Sequence, residues 1–297
     1  MSALTTNPAT AATAATGRLR PRTRLRSAAG LLGVPGLLAV GFLVLVAVVA
    51  VAAPLLAPAD PNFPAPLEAY ASPSGAHLMG TDALGRDLLS RLMYGARVAI
   101  LASVAIIALS TVVGTAVALV SAWVGGVVDA FVSRVLDILF AVPGIIFALA
   151  AVSVMGPGPT GVVLGLTLGY TPYVARVVRG ATLREVRMDY VDAAWLQGRS
   201  GVAICLRHLL PNLRPLIIAQ AVSSLGFALI DLSALSFLGL GVQPPAADWG
   251  LTMRAGLDSA LRGHVGEAVS AGLCLGLLVA SVIVLGDRLS KQAEERA

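Results

Sequence analysis

Long apolar runs with few charges dominate this sequence and restrict the folds available to it. The clearest run extends from Gly36 to Ala53 and contains no charged residue. A helix of about 20 apolar residues crosses the hydrocarbon core of a bilayer, where backbone polar groups must be satisfied within the element itself. Charged residues make up only 12% of the chain, whereas a soluble domain has about 25%. We therefore expect an integral membrane protein.

The apolar runs predict an all-α protein with six transmembrane helices. The first span covers residues 31–56, and residues 57–97 then leave the membrane as a polar loop. Residues 98–290 form a five-helix core, in which Pro143 is expected to kink the second helix of the five. These five spans are predicted at about 98–124, 130–155, 161–178, 215–240 and 268–286.

The distribution of arginine predicts which parts of the chain face the cytoplasm. Residues 1–30 form an Ala/Thr-rich tail with five arginines, which we predict to be disordered. Such a tail can bind nucleic acid, but arginines directly before an apolar span are more typical of the cytoplasmic side. Basic residues also concentrate in residues 179–214 and at the C-terminal tail, residues 291–297. We therefore predict a multi-pass plasma membrane protein with both termini cytoplasmic and no nucleic-acid partner.

A secretory signal peptide is an alternative interpretation of the first span. The tripeptide Ala50-Val51-Ala52 resembles a cleavage site. The apolar core is longer than the roughly 7–15 residues of a signal peptide, and the leader before it is long. These features favour a span that stays in the membrane.

The sequence argues against catalysis by this chain. Lys291 is its only lysine and is followed by Gln292, whereas a phosphate-binding loop needs Gly-Lys-Ser/Thr. Cys205 and Cys274 form no C-x-x-C, and the H-E-x-x-H and G-x-S-x-G motifs are absent. We expect no catalytic residue, no metal site and no cofactor in this chain.

The loop before the second span contains a short stretch that favours a helix. Thr81 and Asp82 are expected to cap it, and leucines at every fourth position from Leu84 give it one apolar face. In the simplest interpretation this helix lies at the membrane interface, and Arg86 and Asp87 are solvated. Trp249, in the loop after the fifth span, is likewise expected to anchor the interface.

The charged segment 179–214 lies between the fourth and fifth spans. Apolar residues recur at nearly helical spacing from Met188 to Leu196, so a short amphipathic helix is expected. Gly198 suits the stop of this helix, because glycine adopts the left-handed conformation without a steric penalty. A second short helix is expected to end at Leu210, with Pro211 in the first turn of the next one. For a generic membrane protein, such a segment is a solvated loop.

Three motifs change that interpretation. Residues 80–87 read Gly-Thr-Asp-x-x-Gly-Arg-Asp, and residues 236–245 form a Gly- and Pro-rich end to the fifth span. The third motif lies within 179–214 and consists of Asp192, Ala193, Ala194, Gly198, His208, Leu210 and Pro211. Together they resemble the permease subunits of ATP-binding-cassette (ABC) importers, in particular the peptide/nickel branch. The general coupling motif reads Glu-Ala-Ala…Gly…Ile-x-Leu-Pro, so Asp192 replaces its Glu and His208 its Ile.

The resemblance implies a type I importer fold and transport by alternating access. The seven motif residues within 179–214 would couple the permease to the ATPase. Expected partners are a second permease subunit, usually in a heterodimer, two cytoplasmic subunits that bind ATP and Mg²⁺, and an extracytoplasmic solute-binding protein. The resemblance implies di- or oligopeptides as the cargo, with nickel or another small solute as the alternative. An ion-coupled secondary transporter is a less favoured alternative.

One acidic residue, Asp231, lies deep within a predicted span. Gln220, Ser224 and Asp231 fall within about 40° of one direction on a helical wheel. A charged Asp in mid-span costs roughly 2.5–3.5 kcal/mol on insertion scales, which favours a wet or paired environment. One hypothesis is that these three residues line the translocation path and that Asp231 meets the positive end of a peptide. The other is that Asp231 reaches water near the outer interface or pairs with the partner permease.

Overall fold

The computed structural model describes residues 28–294. Within that range the regular secondary structure is helical, apart from one isolated β-bridge. Residues 1–27 of the predicted disordered tail and the last residues of the C-terminal tail lie outside it, whereas residues 28–30 belong to the first helix. The α-helices are α1 (Ala28–Leu56), α2 (Leu88–Val124), α3 (Gly126–Phe140), α4 (Gly144–Met155), α5 (Pro159–Glu185), α6 (Asp189–Leu196), α7 (Gly201–Ile204), α8 (Leu210–Phe237), α9 (Trp249–Ala260) and α10 (Gly266–Glu294). A 3₁₀ turn covers Pro66–Glu68, and a π-helical turn covers Cys205–Leu209.

Five helical stretches are long and apolar enough to cross a membrane. They are Gly33–Leu56, Leu88–Val124, Pro159–Glu185, Gly201–Phe237 and Gly266–Lys291. The pair α3 and α4 is bent by 82° and makes a sixth span only if it crosses as one unit. The prediction of an all-helical membrane protein is therefore confirmed, with five or six spans.

The break between α3 and α4 falls at the proline that the sequence singles out. Pro143 is the N-cap of α4. Proline has no N–H to donate, and its ring collides with a preceding carbonyl when it lies within a helix. The predicted kink is confirmed, and it is large enough to separate two helices.

The second span begins earlier than predicted, at Leu88. Its N-cap is Asp87, whose side chain accepts a hydrogen bond from Ser90 N at 2.8 Å. Thr81 and Asp82 do not cap a helix, because Thr81 pairs with Asp87 in an antiparallel bridge and the chain between them is a turn. The prediction of a separate interfacial helix before the second span is therefore wrong.

Helix α2 packs along α5 and also contacts α1, α8 and α10. Helix α2 approaches α5 closely at Gly114. A Cβ atom at that position would lie 3.0 Å from Thr171 O and 3.0 Å from Ala175 N. Small residues allow such close backbone contact between membrane helices. This pair of helices forms the centre around which the remaining helices are arranged.

Candidate functional site

Segment 179–214 begins within α5, ends within α8 and carries α6 at its centre. Helix α6 ends in a left-handed turn at Gly198, whose φ is 75°. The Gly198 N–H donates to Trp195 O at 2.9 Å, and the Arg199 N–H donates to Ala194 O at 3.3 Å. These two bonds form a Schellman motif, which satisfies two carbonyls that a helix end would otherwise leave free. The predicted helix stop at Gly198 is confirmed.

The second half of the segment differs from the separate short helix that was predicted. Helix α7 continues through the π-helical turn Cys205–Leu209 into α8, so that Gly201–Phe237 is one helical stretch. Pro211 lies in the first turn of α8, as expected, but the chain does not break before it. A π-helical turn shifts the backbone hydrogen bonds, so it can tolerate a residue that lacks an N–H. Leu210 is half-buried and Pro211 is exposed.

Helix α6 has one exposed and one buried side. Asp192 and Ala193 are exposed, and the side chains of Trp195 and Leu196 are 59% and 86% exposed. Ala194 is only 5% exposed and packs into a core cluster with residues of α5 and α8. Of the two adjacent alanines of the motif, only Ala193 therefore lies on the exposed surface. Beside it, the large exposed apolar side chains form a patch of the kind that marks interaction surfaces.

Polar side chains join the ends of α5 and α8 to this segment. Glu185, the last residue of α5, accepts hydrogen bonds from Tyr190 Oη at 2.8 Å and from Asn212 Nδ2 at 3.1 Å. Burial, together with the bond to this carboxylate, raises the pKa of Tyr190 to about 12. His208 Nε2 lies 3.2 Å from Arg199 Nη1. Because a guanidinium only donates, His208 Nε2 is the acceptor.

A cavity of 390 Å³ lies beside Asp231, within the range of about 300–1,000 Å³ typical of ligand sites. Tyr170 Oη donates to Asp231 Oδ2 at 2.8 Å. Gln220 Nε2 donates to Ser224 Oγ at 3.1 Å, and Ser224 is 1% exposed. Of the three residues predicted to line the translocation path, Gln220, Ser224 and Asp231, only Asp231 therefore borders the cavity. Its lining is otherwise largely aromatic and apolar: Phe140, Val142, Pro143, Gly144, Gly169, Tyr170, Tyr173, Phe227 and Ile230.

Two ion pairs hold α3 against α5, and one of them adjoins Phe140 in the cavity lining. Arg179 donates from Nε and Nη2 to the two carboxylate oxygens of Asp129, each at 2.6 Å. Such a bidentate pair fixes the orientation of both side chains. Arg176 pairs with Asp137 and places its guanidinium carbon 4.3 Å from the centre of the Phe140 ring.

A second group of polar residues lies at the opposite ends of α2 and α8, and sequence reasoning missed most of it. We call it the buried charge network: it consists of Asp82, Arg86, Arg91, Asp248 and Glu267, none of which is more than 8% exposed. Asp82 Oδ2 lies 2.6 Å from Arg86 Nε and 3.6 Å from Arg91 Nε. Arg91 also donates from Nη1 to a backbone carbonyl of the preceding loop, Pro61 O, at 2.9 Å.

The expectation that Arg86 and Asp87 are solvated is wrong, because both are buried. Asp87 accepts from both the N–H and the hydroxyl of Ser90, and its Oδ1 lies 3.0 Å from His77 Nδ1. Burial alone would raise the pKa of Asp87, but these hydrogen bonds outweigh it and lower the pKa. The bond to Asp87, with a second one to Glu68, raises the pKa of His77.

The expectation that Trp249 anchors the membrane interface is wrong. Its side chain is 3% exposed, and its Nε1–H donates to Leu92 O at 2.8 Å. An interfacial tryptophan keeps its polar edge among water and headgroups, whereas this one joins α9 to α2. The preceding Asp248 caps α9 by accepting from Leu251 N at 2.9 Å. An Asp directly before a helix is a local signal that could have identified this cap.

Comparisons with known proteins agree with the motifs. Residues 110–297 match the family described as "Binding-protein-dependent transport system inner membrane component". The chain is 36% identical over 218 residues to a glutathione transport system permease protein, GsiD, of Pectobacterium atrosepticum, which covers 73% of this chain and 72% of that protein. It is 33% identical over 249 residues to a putative peptide transport system permease protein of Brucella suis, which covers 84% of this chain and 83% of the relative.

Proposed function

This chain belongs to the family of inner membrane components of binding-protein-dependent transport systems, and we propose that the importer it serves carries peptides. The resemblance to ABC importer permeases of the peptide/nickel branch is confirmed by the family and its relatives. The chain is thus a multi-pass permease component of the bacterial inner membrane and not the catalytic subunit. The observation that carries the peptide proposal is the similarity, over 84% of the chain, to a permease named for peptide transport.

The proposed topology has six spans with both termini in the cytoplasm. In this arrangement α3 and α4 together form the third span, bent at Pro143. The basic residues of segment 179–214 and of the chain ends then all lie on the cytoplasmic side, as the positive-inside rule expects. Segment 57–87 and helix α9 lie on the extracytoplasmic side.

The proposed complex contains a second permease, two cytoplasmic ATPase subunits that bind ATP and Mg²⁺, and a solute-binding protein. The exposed part of segment 179–214 docks onto an ATPase, with Asp192, Ala193 and Gly198 on the docking side. Support for this surface comes from the exposed apolar side chains of Trp195 and Leu196 beside those residues. Ala194, His208, Leu210 and Pro211 contribute by holding the segment in shape.

The cavity beside Asp231 is the proposed part of the translocation path in this chain. Its aromatic lining suits apolar peptide side chains, and its carboxylate suits the ammonium group of a peptide. Tyr170 holds that carboxylate in a fixed orientation through the 2.8 Å hydrogen bond. Gln220 and Ser224, which do not border the cavity, are assigned to the packing of α8.

The test is uptake by the assembled transporter in proteoliposomes. We expect ATP-dependent uptake of labelled di- or oligopeptides that requires the solute-binding protein, and no ATP hydrolysis by this chain when it is purified alone. Nickel chelates serve as the alternative cargo. Uptake of nickel without any peptide uptake would contradict the peptide proposal, and stoichiometric ATP turnover by the pure chain would contradict the permease role.

A further inference from the structure

A second, smaller cavity lies between segment 57–87 and the start of α10. It has a volume of 200 Å³ and is lined by residues that include Tyr70, Thr81, Ser259, His264, Gly266 and Glu267. Sites for small molecules usually measure about 300–1,000 Å³. The cavity is therefore too small for a peptide, but it has room for a single side chain.

Glu267 is the charged residue of this lining, and its carboxylate is incompletely bonded. The residue is 5% exposed, and its Oε2 accepts from Ser259 Oγ at 3.0 Å. Its Oε1 is buried and has no hydrogen-bond partner among residues 28–294. An unpaired buried acceptor of this kind costs free energy, which a donor supplied from outside the chain would recover.

The charges around Glu267 are unbalanced in a way that favours a bound cation. The buried charge network contains three carboxylates, those of Asp82, Asp248 and Glu267, and two guanidinium groups, those of Arg86 and Arg91. These groups interact electrostatically with one another. With all five groups ionised, three negative charges and two positive charges leave an excess of one negative charge. Buried charges are normally paired, so a positive charge supplied from outside the chain would balance the network.

Part of the cavity wall is aromatic. The rings of Tyr70 and His264 are stacked, with 4.1 Å between their centroids and 10° between their planes. Tyr70 has a φ of 57°, an uncommon backbone conformation for a bulky residue, and its hydroxyl lies 3.4 Å from Ser259 Oγ. Such strained positions persist where surrounding contacts enforce them, often at ligand sites. An aromatic ring beside a carboxylate suits a guanidinium or an ammonium group.

We propose that this cavity receives one arginine or lysine side chain of the solute-binding protein. The inference rests on the proposed function, which places segment 57–87 on the extracytoplasmic side. The family is defined by its dependence on a binding protein, and the cavity is formed by the loops that such a protein would meet. The incoming cation donates to Glu267 and neutralises the buried charge network. Glu267 is thus a docking residue, distinct from the translocation cavity at Asp231.

The experiment measures how tightly the assembled transporter in nanodiscs binds the solute-binding protein that is expressed with its other subunits. Glu267→Gln removes the charge but keeps the shape and the acceptor for Ser259. We expect affinity to fall at least about tenfold, because one partner of a buried charge pair is lost. The dependence of affinity on salt should fall with it. Glu68→Gln, which removes the same charge from a side chain of segment 57–87 that is 55% exposed, is the matched control and should change affinity less than about twofold.

A second variant tests the site without changing any charge. A Cβ atom at Gly266 would meet no atom within 4 Å, so Gly266→Leu adds bulk to a residue that lines the cavity without a collision and keeps the carboxylate of Glu267. This variant should weaken binding as strongly as Glu267→Gln. Arginines and lysines on the binding protein are then replaced in turn by glutamine. Only one of them should show a loss that is not additive with Glu267→Gln.

The outcomes separate this site from the proposed function. A wild-type complex that recruits no binding protein would contradict the proposed function and the site together. Recruitment by the wild type with equal affinity for Glu267→Gln or Gly266→Leu would contradict the site alone, as would the absence of any coupled arginine or lysine. An affinity that changes with the identity of the monovalent cation at constant ionic strength would assign the cavity to an inorganic ion and also overturn the proposal.

Discussion

The turn at Gly198 offers the sharpest test of how segment 179–214 works. Gly198→Asp adds a side chain to a residue with a φ of 75°, and we expect it to abolish ATPase association while the protein still inserts into the membrane. The added Cβ would meet no atom within 4 Å. The substitution therefore causes no collision, and its effect comes from backbone strain and from the added charge.

The magnitude follows from the backbone conformation. A left-handed conformation costs an L-residue about 1–2 kcal/mol, and Asp and Asn are among the residues that tolerate it best. A change of 1–2 kcal/mol shifts a conformational equilibrium by a factor of about 5–30. Opening this turn releases the hydrogen bonds from Gly198 N and Arg199 N to the end of α6. Amide exchange at these two positions should accelerate by about the same factor.

The assay is co-purification of the ATPase subunits with the permease, with membrane levels measured in parallel. Gly198→Asn supplies a side chain of similar size without the charge, so it should retain more ATPase than Gly198→Asp. Gly263→Asp is the matched control for the backbone. It has a φ of 88°, and its Cβ would likewise meet no atom within 4 Å, but it lies in the turn between α9 and α10. This control should keep full ATPase association.

Three results would refute this reasoning. Normal association and uptake with Gly198→Asp would show that segment 179–214 is only a solvated loop. Loss of the protein from the membrane would show instead that Gly198 serves folding, since the turn lies outside the spans in the proposed topology. Equal loss of ATPase in Gly263→Asp would show that the effect is not specific to the docking surface.

Three further predictions concern the remaining sites. Asp231→Asn should lower peptide uptake. In a cysteine-free background, a water-soluble thiol reagent should label Asp231→Cys but not the buried Ser224→Cys. Unchanged uptake or equal labelling would contradict a cargo-facing carboxylate. The pKa of His77 is raised by its carboxylate partners, so protonated His77 should stabilise its loop below pH about 6.5, the ordinary His value. This stabilisation should be lost as the pH rises through the raised pKa. In His77→Gln, the unfolding temperature measured against pH should no longer show this loss. Trp249→Phe removes the buried bond to Leu92 O and should cost about 1–3 kcal/mol, seen as a lower unfolding temperature in detergent, whereas an unchanged temperature would contradict a structural role.

The helical architecture was predictable because its signals are local. Apolar runs of sufficient length mark spans regardless of what they pack against. Gly198 and Pro143 act through their own backbone restrictions, so both were assigned correctly to a helix stop and a break. The same local logic placed the start of the second span too late. The chain from Leu88 onwards is helical but carries Arg91 and Arg97, and apolarity alone did not reveal that Arg91 is buried.

The buried charge network was not predictable, because Asp82, Arg86 and Arg91 lie far in the sequence from Asp248 and Glu267. Arg91 bonds to Pro61, and Trp249 bonds to Leu92 across 157 positions. Taken singly, a charged residue in a loop is most often solvated. Only the fold brings Glu267 close enough to interact with Asp82 and the two arginines. Charge patterning along the chain therefore located the loops but gave no indication of their buried partners.

The contacts between helices also bear on how a path through this protein opens. Helices α5 and α8 are joined at two places, by Asn212 to Glu185 at one end and by Tyr170 to Asp231 further along. Helix α3 is joined to α5 by the pair of Arg179 and Asp129.

The bond of Tyr170 to Asp231 lies in the wall of the cavity, and α8 runs from Asp231 without a break to segment 179–214. A movement of that segment therefore also moves the cavity wall. Helices α3, α5 and α8 move together, because a shift of one against another would break one of these ion pairs or hydrogen bonds. A path that opens alternately on two sides then requires motion between this chain and another body. This requirement agrees with the proposed second permease, against whose surface the open side of the cavity would close.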